Sequence, residues 1–383
     1  MAVEPASVQP LRVGIVGLGW AGQTHLKAYL QLPQVQVLAL AGLEEDRLAA
    51  LGAEHDVPHL YREWGDLLAR DDLDVVSVCT PNHLHAPVAI AALESGRHVL
   101  CEKPLARTAA EGEAIVEAAV AARRVLQVAF NHRARDDVQV LRRYIESGGL
   151  GRIYHVKANW LRRSGIPTLG SWFTSREMAG GGPLIDIGVH ILDIALHLLD
   201  EPDPLTVSAA TYAELGTRGR GNRDERFSRS RSGPKTGSTR DFEVEDLATA
   251  FIRLAGGATM ILETGWAVYG GYGDDFDITL YGTEGGAAIT VKGYGWEDTL
   301  RIYTDLAGVP AEVRPRVGPS EGHQKVVRDF VGAIRGGDWS AHVGLEGLRR
   351  TRVIDACYAS AREGREVTVG QSGGGAVGQF VAG

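Results

Sequence analysis

Short apolar runs alternate with stretches of helical periodicity through the first third of the chain. Apolar residues at 12–16 predict a buried strand, and residues 23–32 predict the helix that follows it. Further strands are predicted at 35–41, 74–79, 97–101 and 125–130, with helices at 63–69, 86–95 and 109–123. Strands this apolar, alternating with helices, predict an α/β domain with a doubly wound parallel sheet. Ligands of such a sheet bind beyond the carboxyl ends of its strands.

The later part of the chain has a different pattern, in which glycine-rich turns separate strand-length segments. Strands are predicted at 152–161, 247–254, 259–264, 276–281 and 286–291. A helix is predicted at 323–334. This half of the chain therefore contains a second sheet.

Residues 183–199 predict a helix that is apolar on all sides except for four ionisable side chains. Asp186, His190, Asp193 and His197 are spaced 4, 3 and 4 residues apart, which places them on one stripe. Ionisable groups in a buried helix must pair, bind a ligand or line a wet cavity. A satisfied polar seam and a functional site are both consistent with this stretch. Because four ligands would span about three turns, no metal site is predicted.

Composition bounds the class of protein. A chain of 383 residues with ordinary apolar and charged fractions is long enough for two domains. The net charge of −8 argues against nucleic acid or an anionic membrane as a partner of the whole protein. Three widely spaced cysteines fit neither a disulfide framework nor a zinc cluster, so a reducing compartment is expected. The first ten residues do not form a signal sequence and no stretch reaches membrane-spanning length, which predicts a soluble cytoplasmic protein.

Residues 216–240 break the acidic average, with arginine and lysine side chains among glycine and serine. Such a composition cannot form a core, which predicts a flexible loop that could also reach a phosphate-bearing substrate or a neighbouring subunit. Phe227 is the only aromatic residue there, so nucleic acid is not expected. The predicted domain limits are a flexible N-terminus at 1–10, a dinucleotide-binding domain at 11–133, a second domain at 134–369, and a loose tail at 370–383.

Gly17, Gly19 and Gly22 form a G-x-G-x-x-G motif between the first strand and the first helix. This order provides a tight turn, close backbone approach to a pyrophosphate, and helix N-terminal amides that face negative charge. The motif therefore predicts a dinucleotide site, and Trp20 and Ala21 within it are counted as cofactor contacts. The alternative is a tight turn without a ligand.

The second strand decides which dinucleotide is preferred, because an acid at its end usually holds the adenosine ribose. Gly42 occupies that position, and Glu44 follows two residues later. Glu44 could reach the ribose and would repel a 2′-phosphate, whereas Arg47 could attract it. The sequence favours NAD and leaves NADP open. An acid at a helix N-terminus is also favourable without any ligand.

Two loops follow buried strands at the edge where ligands bind. The first contains the candidate cofactor contacts Thr80, Pro81, Asn82 and His85. The second is Glu102-Lys103-Pro104, in which the proline favours an extended or cis conformation. A lysine placed there can lose solvation and hydrogen-bond or protonate a substrate oxygen. The alternative is a solvated loop lysine.

The glycine motif, TPNHLHAPVAIAALESGRHVLCEKPLA at 80–106 and GGGPLIDIGVHILDIALHLL at 180–199 together resemble the Gfo/Idh/MocA family of NAD(P)-dependent oxidoreductases. The resemblance implies a Rossmann domain followed by an α+β domain with a large, mostly antiparallel sheet. The open face of that sheet is expected to pair subunits as a homodimer or homotetramer. It also implies Lys103, Asp186 and His190 as catalytic residues. Gly42 departs from the family, in which many members carry aspartate.

The residues and the resemblance together predict transfer of hydride from a secondary hydroxyl of a sugar, inositol or related polyol. His190 is predicted to take the hydroxyl proton, Lys103 to stabilise the developing negative oxygen, and Asp186 to orient the substrate or His190. Further predicted contacts are Glu102 and Lys103 for the cofactor, and Lys103, Trp160, Arg162, Trp172, Asp186, His190 and His323 for the substrate.

Two other functions stay open. One is an enzyme that holds NAD tightly and oxidises a sugar only transiently during elimination or glycoside cleavage, with no net NADH release. The other is a dinucleotide-sensing regulator with an inactive site. The intact Lys103, Asp186 and His190 argue against the regulator.

Overall fold

Buried aliphatic residues form the first sheet, in a computed structural model that describes residues 9–222, 241–271 and 273–370. The sheet is parallel, and its strands lie in the order β3-β2-β1-β4-β5-β6. The strands are β1 Leu11–Val16, β2 Val35–Ala41, β3 His59–Tyr61, β4 Val75–Val78, β5 His98–Cys101 and β6 Leu126–Val128. The helices between them are α1 Trp20–Tyr29, α2 Glu45–Glu54, α3 Trp64–Leu68, α4 His85–Glu94 and α5 Ala109–Ala122. The predicted doubly wound α/β sheet is confirmed.

The second sheet has nine strands in the order β14-β13-β12-β11-β7-β10-β9-β8-β15. They are β7 Ile153–Arg162, β8 Pro204–Tyr212, β9 Leu247–Leu254, β10 Thr259–Gly265, β11 Asp274–Gly282, β12 Gly286–Lys292, β13 Leu300–Leu306, β14 Val309–Val313 and β15 Val367–Thr368. All neighbours are antiparallel except β7 and β10. This confirms the large, mostly antiparallel sheet that the family resemblance implies. The sequence did not predict β3, β8 and β13 to β15.

Alternation along the strands buries one face of this sheet and leaves the other open. On β10, Met260 and Leu262 are buried, whereas Ile261 between them is 42% exposed. The described residues of this half of the chain form five α-helices: α6 Asp136–Glu146, α7 Arg176–Ala179, α8 Val189–Leu198, α9 His323–Gly336 and α10 Leu345–Glu363.

The apolar segment before and within α8 is central to the fold, and its first turn differs from the prediction. A π-helical turn at Leu184–Gly188 precedes α8, so the predicted single α-helix from residue 183 is wrong in its first turn. Every residue of α8 except His197 is buried. The segment Arg176–Leu198 has the length and composition of a membrane-spanning helix, but 89% of its apolar window is buried inside the protein. It is a core segment, and Asp186 lies on the π-helical turn.

Helix α9 returns from the second sheet to the first one. Its residues Val327 and Phe330 belong to the same buried cluster as Val13, Ile15 and Leu26 of the first domain. The first turn of α9 therefore lies beside α1 and the glycine motif. Sequence order alone could not predict this contact, because it joins segments about 300 residues apart.

Several predicted flexible segments lie wholly or largely outside the described residues. They are the N-terminal residues 1–8, residues 223–240 of the basic segment, and the C-terminal residues 371–383. Of the part of the basic segment that is described, Arg218 pairs with Glu214 on the surface.

Candidate active site

The glycine motif has the backbone geometry that a pyrophosphate site needs. Gly17 has a φ of +91°, and a Cβ there would collide with the backbone of Cys79. A Cβ at Gly22 would collide with the carbonyl of Gly17, whereas a Cβ at Gly19 would meet nothing within 4 Å. Gly19 also caps α1 without any side-chain hydrogen bond to the helix amides. Gly17 and Gly22 allow tight packing, and Gly19 leaves an open approach to a helix N-terminus, so the loop fits a dinucleotide pyrophosphate.

At the predicted adenosine end, the structure explains why no acid stands at residue 42. A Cβ at Gly42 would lie 2.8 Å from Leu18 Cδ1, so a larger side chain would displace Leu18. Glu44 precedes α2 with its side chain about half exposed. Arg47 Nη1 lies 3.1 Å from Glu44 Oε1 and 3.3 Å from the carbonyl of Leu18. Arg47 is therefore held by protein groups close to Glu44.

The loop after β4 is braced by its own polar side chains. Asn82 Nδ2 donates to the carbonyl of Ala179 at 2.8 Å. The fully buried His85 ring lies 2.7 Å from the Pro104 carbonyl and 3.0 Å from the Thr80 carbonyl. Burial lowers the pKa of His85. These contacts join the two loops, and direct contact of Thr80, Pro81, Asn82 or His85 with a cofactor stays a prediction.

Lys103 lies at the end of β5 and reaches the π-helical turn. Its Nζ donates to both Oδ1 and the backbone carbonyl of Asp186, each at 3.0 Å, and the Lys103–Pro104 peptide is cis. Trp266 Nε1 donates to the other carboxylate oxygen of Asp186 at 3.0 Å. Burial acts to raise the pKa of Asp186, but the charges of Lys103 and Arg162 outweigh it and hold that pKa below its ordinary value. The pair is therefore an ammonium and a carboxylate in a largely enclosed site.

His190 lies on α8, close to this ion pair. Its ring is 8% exposed, and the ring of His132 lies 4.6 Å away, centroid to centroid. Burial lowers the pKa of His190 well below its ordinary value, and the positive charge of Lys103 lowers it further. His190 Nδ1 is buried and has no hydrogen-bond partner among the described residues, so Nε2 is the nitrogen left to meet a ligand. A neutral imidazole can accept a proton, and the ammonium group beside it can stabilise a negative oxygen.

The predicted pocket residues differ in where their side chains lie. Trp160 is 1% exposed, packs against the rings of His132 and His190, and donates from Nε1 to Asp274 at 2.7 Å. Arg162 also donates to Asp274, at 2.6 Å. Both side chains therefore bind Asp274, and Trp160 also packs against His190. Direct contact with substrate stays a prediction for both.

Two other predicted substrate contacts pack against aromatic rings. Trp172 stacks on Phe173 at 3.8 Å. His323 donates to Glu102 and packs edge-on against Trp20, whose side chain is largely exposed. Contact of Trp172 and His323 with substrate, and of Trp20, Ala21 and Glu102 with cofactor, also stays a prediction.

The structure adds His132, Trp266 and Asp274 to the site. Each meets a predicted site residue only through tertiary packing, and none belongs to a spaced motif. The one available sequence signal was position, because Trp266 directly follows the predicted strand at 259–264.

The ionisable residues of the central segment have two different sets of contacts. Asp193 accepts from Arg133 at 2.8 and 2.7 Å and from Arg350 at 2.9 Å. Both arginines lie over the ring of Phe130. Asp186 and His190 therefore face the site, while Asp193 is committed to a buried ion network that anchors α8.

Oxidation of an alcohol by hydride transfer to a dinucleotide also releases a proton and builds negative charge on the oxygen. The glycine loop fits the pyrophosphate of a dinucleotide, and His190 and Lys103 are the candidate proton acceptor and cation, so fold and site fit a dinucleotide-dependent oxidoreductase. Residues 11–130 match the oxidoreductase family with an NAD-binding Rossmann fold, and residues 138–288 match the GFO/IDH/MocA C-terminal domain. The chain belongs to the Gfo/Idh/MocA family, and its first domain is an NAD-binding Rossmann domain.

Curated relatives and solved structures resemble nearly the whole chain. D-glucoside 3-dehydrogenase of Escherichia coli is 31% identical over 360 residues, which cover 94% of this chain and 97% of that protein. Levoglucosan dehydrogenase of Pseudarthrobacter phenanthrenivorans is 32% identical over 400 residues, covering 95% and 99%. A levoglucosan dehydrogenase structure in complex with NADH and levoglucosan superposes with a TM-score of 0.80 at 28% identity, covering 95% of this chain and 100% of that chain.

Proposed function

We propose that this protein is an NAD-dependent dehydrogenase that oxidises a secondary hydroxyl of a sugar or related polyol to a ketone. The observation that carries the proposal is the convergence of Lys103, Asp186 and His190 at the carboxyl ends of the first sheet. When bound, NAD supplies the hydride acceptor, and the chain supplies the proton chemistry.

The roles follow from charge and geometry. His190 Nε2 accepts the hydroxyl proton, which is favourable because this imidazole is neutral at neutral pH. Lys103 stabilises the oxygen that gains negative charge as the carbon loses hydride. Asp186, fixed by Trp266, holds the Lys103 amine in place. The products are a ketone, NADH and one proton, which balances the loss of two electrons and two hydrogens from the alcohol.

The substrate class that we propose is a pyranose whose anomeric carbon is blocked. Both curated relatives reported above are named for such sugars, a glucoside and an anhydro sugar. His132 is a candidate contact for such a sugar. Its pKa is lowered to about 3 by burial and by nearby positive groups, so its ring is a neutral partner for a ring hydroxyl beside His190.

The first prediction tests this function directly. Incubation with NAD and methyl glucosides or levoglucosan is expected to produce NADH, followed as absorbance at its nicotinamide band, with weaker activity on free glucose and myo-inositol. NADP should be at least about tenfold less effective, because Glu44 repels a 2′-phosphate and Arg47 is held by Glu44 and the Leu18 carbonyl. Sugar conversion without NADH release would favour transient oxidation, and binding of NAD with no conversion would favour a regulator.

We also propose that the open face of the second sheet pairs subunits into a homodimer or homotetramer. Ile261 on β10 and Tyr281 on β11 are exposed there, and Phe251 on β9 lies directly across from Ile261. An exposed sheet face with this many apolar side chains is typical of a protein interface.

Ile261→Arg is expected to dissociate this assembly. In a self-complementary interface the introduced guanidinium groups of two subunits would be buried close to each other without a partner of opposite charge. Size-exclusion chromatography with light scattering should show a smaller species than the wild-type protein. Leu30→Arg, at an exposed position on the first domain, makes the same charge change and should leave the mass unaltered. A wild-type protein that is monomeric at micromolar concentration contradicts the proposed assembly.

We place the protein in the cytoplasm. The three cysteines, Cys79, Cys101 and Cys357, are free and buried, which suits a reducing compartment.

A further inference from the structure

Beside Lys103 lies a buried cluster that the proposed mechanism does not use. Glu102 Oε1 lies 3.0 Å from His25 Nε2 and 3.1 Å from His323 Nε2. All three residues are buried, and the two imidazole rings lie 5.5 Å apart. They come from α1, the end of β5 and the first turn of α9, so the cluster joins three separate parts of the chain.

The protons of this cluster can be assigned from its neighbours. His25 Nδ1 lies 2.7 Å from Ser77 Oγ and 3.4 Å from Cys79 Sγ, both of which can donate. Nε2 is then the nitrogen of His25 that carries a proton, and it donates to Glu102. Burial acts to raise the pKa of Glu102, but the hydrogen bonds from His25 and His323 outweigh it and hold that pKa well below its ordinary value. Glu102 is therefore a carboxylate that accepts two N–H groups on one oxygen.

The other oxygen of Glu102 acts on the next residue in the chain. Glu102 Oε2 accepts from the backbone N–H of Lys103 at 3.2 Å. The peptide from which the Lys103 side chain extends is thus held by the same carboxylate that His25 and His323 fix. A shift of Glu102 would move the start of the lysine side chain, whose amine must meet both Asp186 and the substrate oxygen.

The cluster is also continuous with the dinucleotide site. His25 lies on α1, whose N-terminus is the glycine motif, and Trp20 at the start of α1 packs edge-on against His323 at 5.3 Å. A dinucleotide at the glycine motif would therefore touch the helix that supports Glu102. The same contacts therefore connect the dinucleotide site to the carboxylate that holds the backbone of Lys103.

We propose that Glu102, clamped by His25 and His323, positions Lys103 for reaction, and that His323 is a positioning residue acting through Glu102. The proposal rests on the dehydrogenase function proposed above. It assigns to His323 a role through Lys103 in place of direct contact with the sugar.

A divalent ion is the competing occupant of this cluster. The three ligand atoms lie within 4.8 Å of one another, and two imidazoles with a carboxylate suit several metals. Both imidazole nitrogens, however, lie at hydrogen-bond distance from the same oxygen, so an ion could bind only after both N–H protons had left. The hydrogen-bonded arrangement accounts for every short contact in the cluster.

The test compares two variants of His323. His323→Leu removes the N–H donor, whereas the amide of His323→Gln presents an N–H at a similar reach. We expect His323→Leu to lower kcat by about 10- to 100-fold, the effect of a misplacement of about 1 Å. His323→Gln should recover most of that loss. Gln324→Leu, at an exposed position on the same helix, should keep the wild-type rate.

Two further measurements separate positioning from a general structural role. The dissociation constant for NADH, from tryptophan-to-NADH energy transfer, should change by less than about threefold in His323→Leu. The double variant Lys103→Met/His323→Leu should turn over at the rate of Lys103→Met alone, because nothing remains to be positioned. Equal fold losses in both backgrounds, or NADH binding that falls in step with kcat, would overturn the proposal.

A failure of the dehydrogenase function is distinguishable from a failure of this inference. If none of the sugars supports NAD reduction by the wild-type protein, the proposed function is wrong. The rate of reductive methylation of the Lys103 amine then decides the inference. Faster methylation in His323→Leu than in the wild type supports it, and equal rates contradict it. Metal that copurifies with the wild type, with activity lost in EDTA and restored by that metal, also overturns it.

Discussion

Replacing Lys103 by methionine is expected to lower kcat by about 10²- to 10³-fold, the usual effect of removing one group that stabilises an oxyanion. Methionine keeps the length of the side chain and removes the charge beside the reacting oxygen. It also leaves the buried Asp186 carboxylate with Trp266 and the more distant Arg162, so its pKa should rise. Steady-state kinetics measures the change in kcat, and NADH titration measures whether cofactor binding changes as well.

Binding of NADH should be nearly unaffected by the same change, because the glycine motif holds the pyrophosphate end and does not include Lys103. Lys325→Met is the matched control, since Lys325 lies in an exposed helical ion pair with Asp329. That variant should turn over like the wild type. If Lys103→Met kept the wild-type kcat, Lys103 would have no role in the mechanism. The site would then lack the positive charge that we propose beside the reacting oxygen.

Replacing His190 by alanine is expected to lower kcat/KM by about 10²- to 10⁴-fold, the contribution typical of a positioned general base. The pH dependence gives the sharper test. Burial and the charge of Lys103 depress the pKa of His190, so its basic form persists as the pH falls below 6.5. The acid limb of kcat/KM should therefore lie below pH 6.5, and it should disappear in His190→Ala.

Stability should respond to the same group in a predictable direction. Below pH 6.5 the unfolded chain binds a proton at residue 190 that the folded protein does not take up, so the free energy of unfolding falls as the pH falls. His190→Ala removes that contribution, so its free energy of unfolding should fall less steeply with pH than that of the wild type. An acid limb near pH 6.5 or above, unchanged in His190→Ala, would assign the base to another residue.

The local chemistry of the dinucleotide site could be predicted from the sequence because each part depends on neighbours in the chain. Gly17, Gly19 and Gly22 lie in one turn between one strand and one helix, and the structure shows the collisions that a side chain would cause at Gly17 and Gly22. The loop with Lys103 follows a strand whose apolar run is plain in the sequence. Because the carboxyl ends of parallel strands lie at one edge of the sheet, that loop must lie at the edge where ligands bind.

The stripe on the central segment shows the limit of such reasoning. Even spacing placed Asp186, His190 and Asp193 on one face, and only packing divided them between the site and the Arg133–Arg350 network. The π-helical turn at Leu184–Gly188 shifts the register at Asp186, and Gly188 there lies so close to Thr264 that a Cβ would be 2.9 Å from its methyl group. Helical periodicity in the sequence does not reveal this turn or its close contact with Thr264.

By itself, the sequence determined the alternation of strands and helices, the glycine loop and the two loops at the strand ends, since each is written in short-range spacing. The candidate base, cation and carboxylate came from the resemblance of two of its motifs to the family. Only the tertiary structure decided that Trp266 fixes Asp186, that His132 lies against His190, and that α9 brings His323 to Glu102. These contacts join residues far apart in the chain. They are selected by how the two sheets and their helices bury apolar surface together, and no local pattern records that choice.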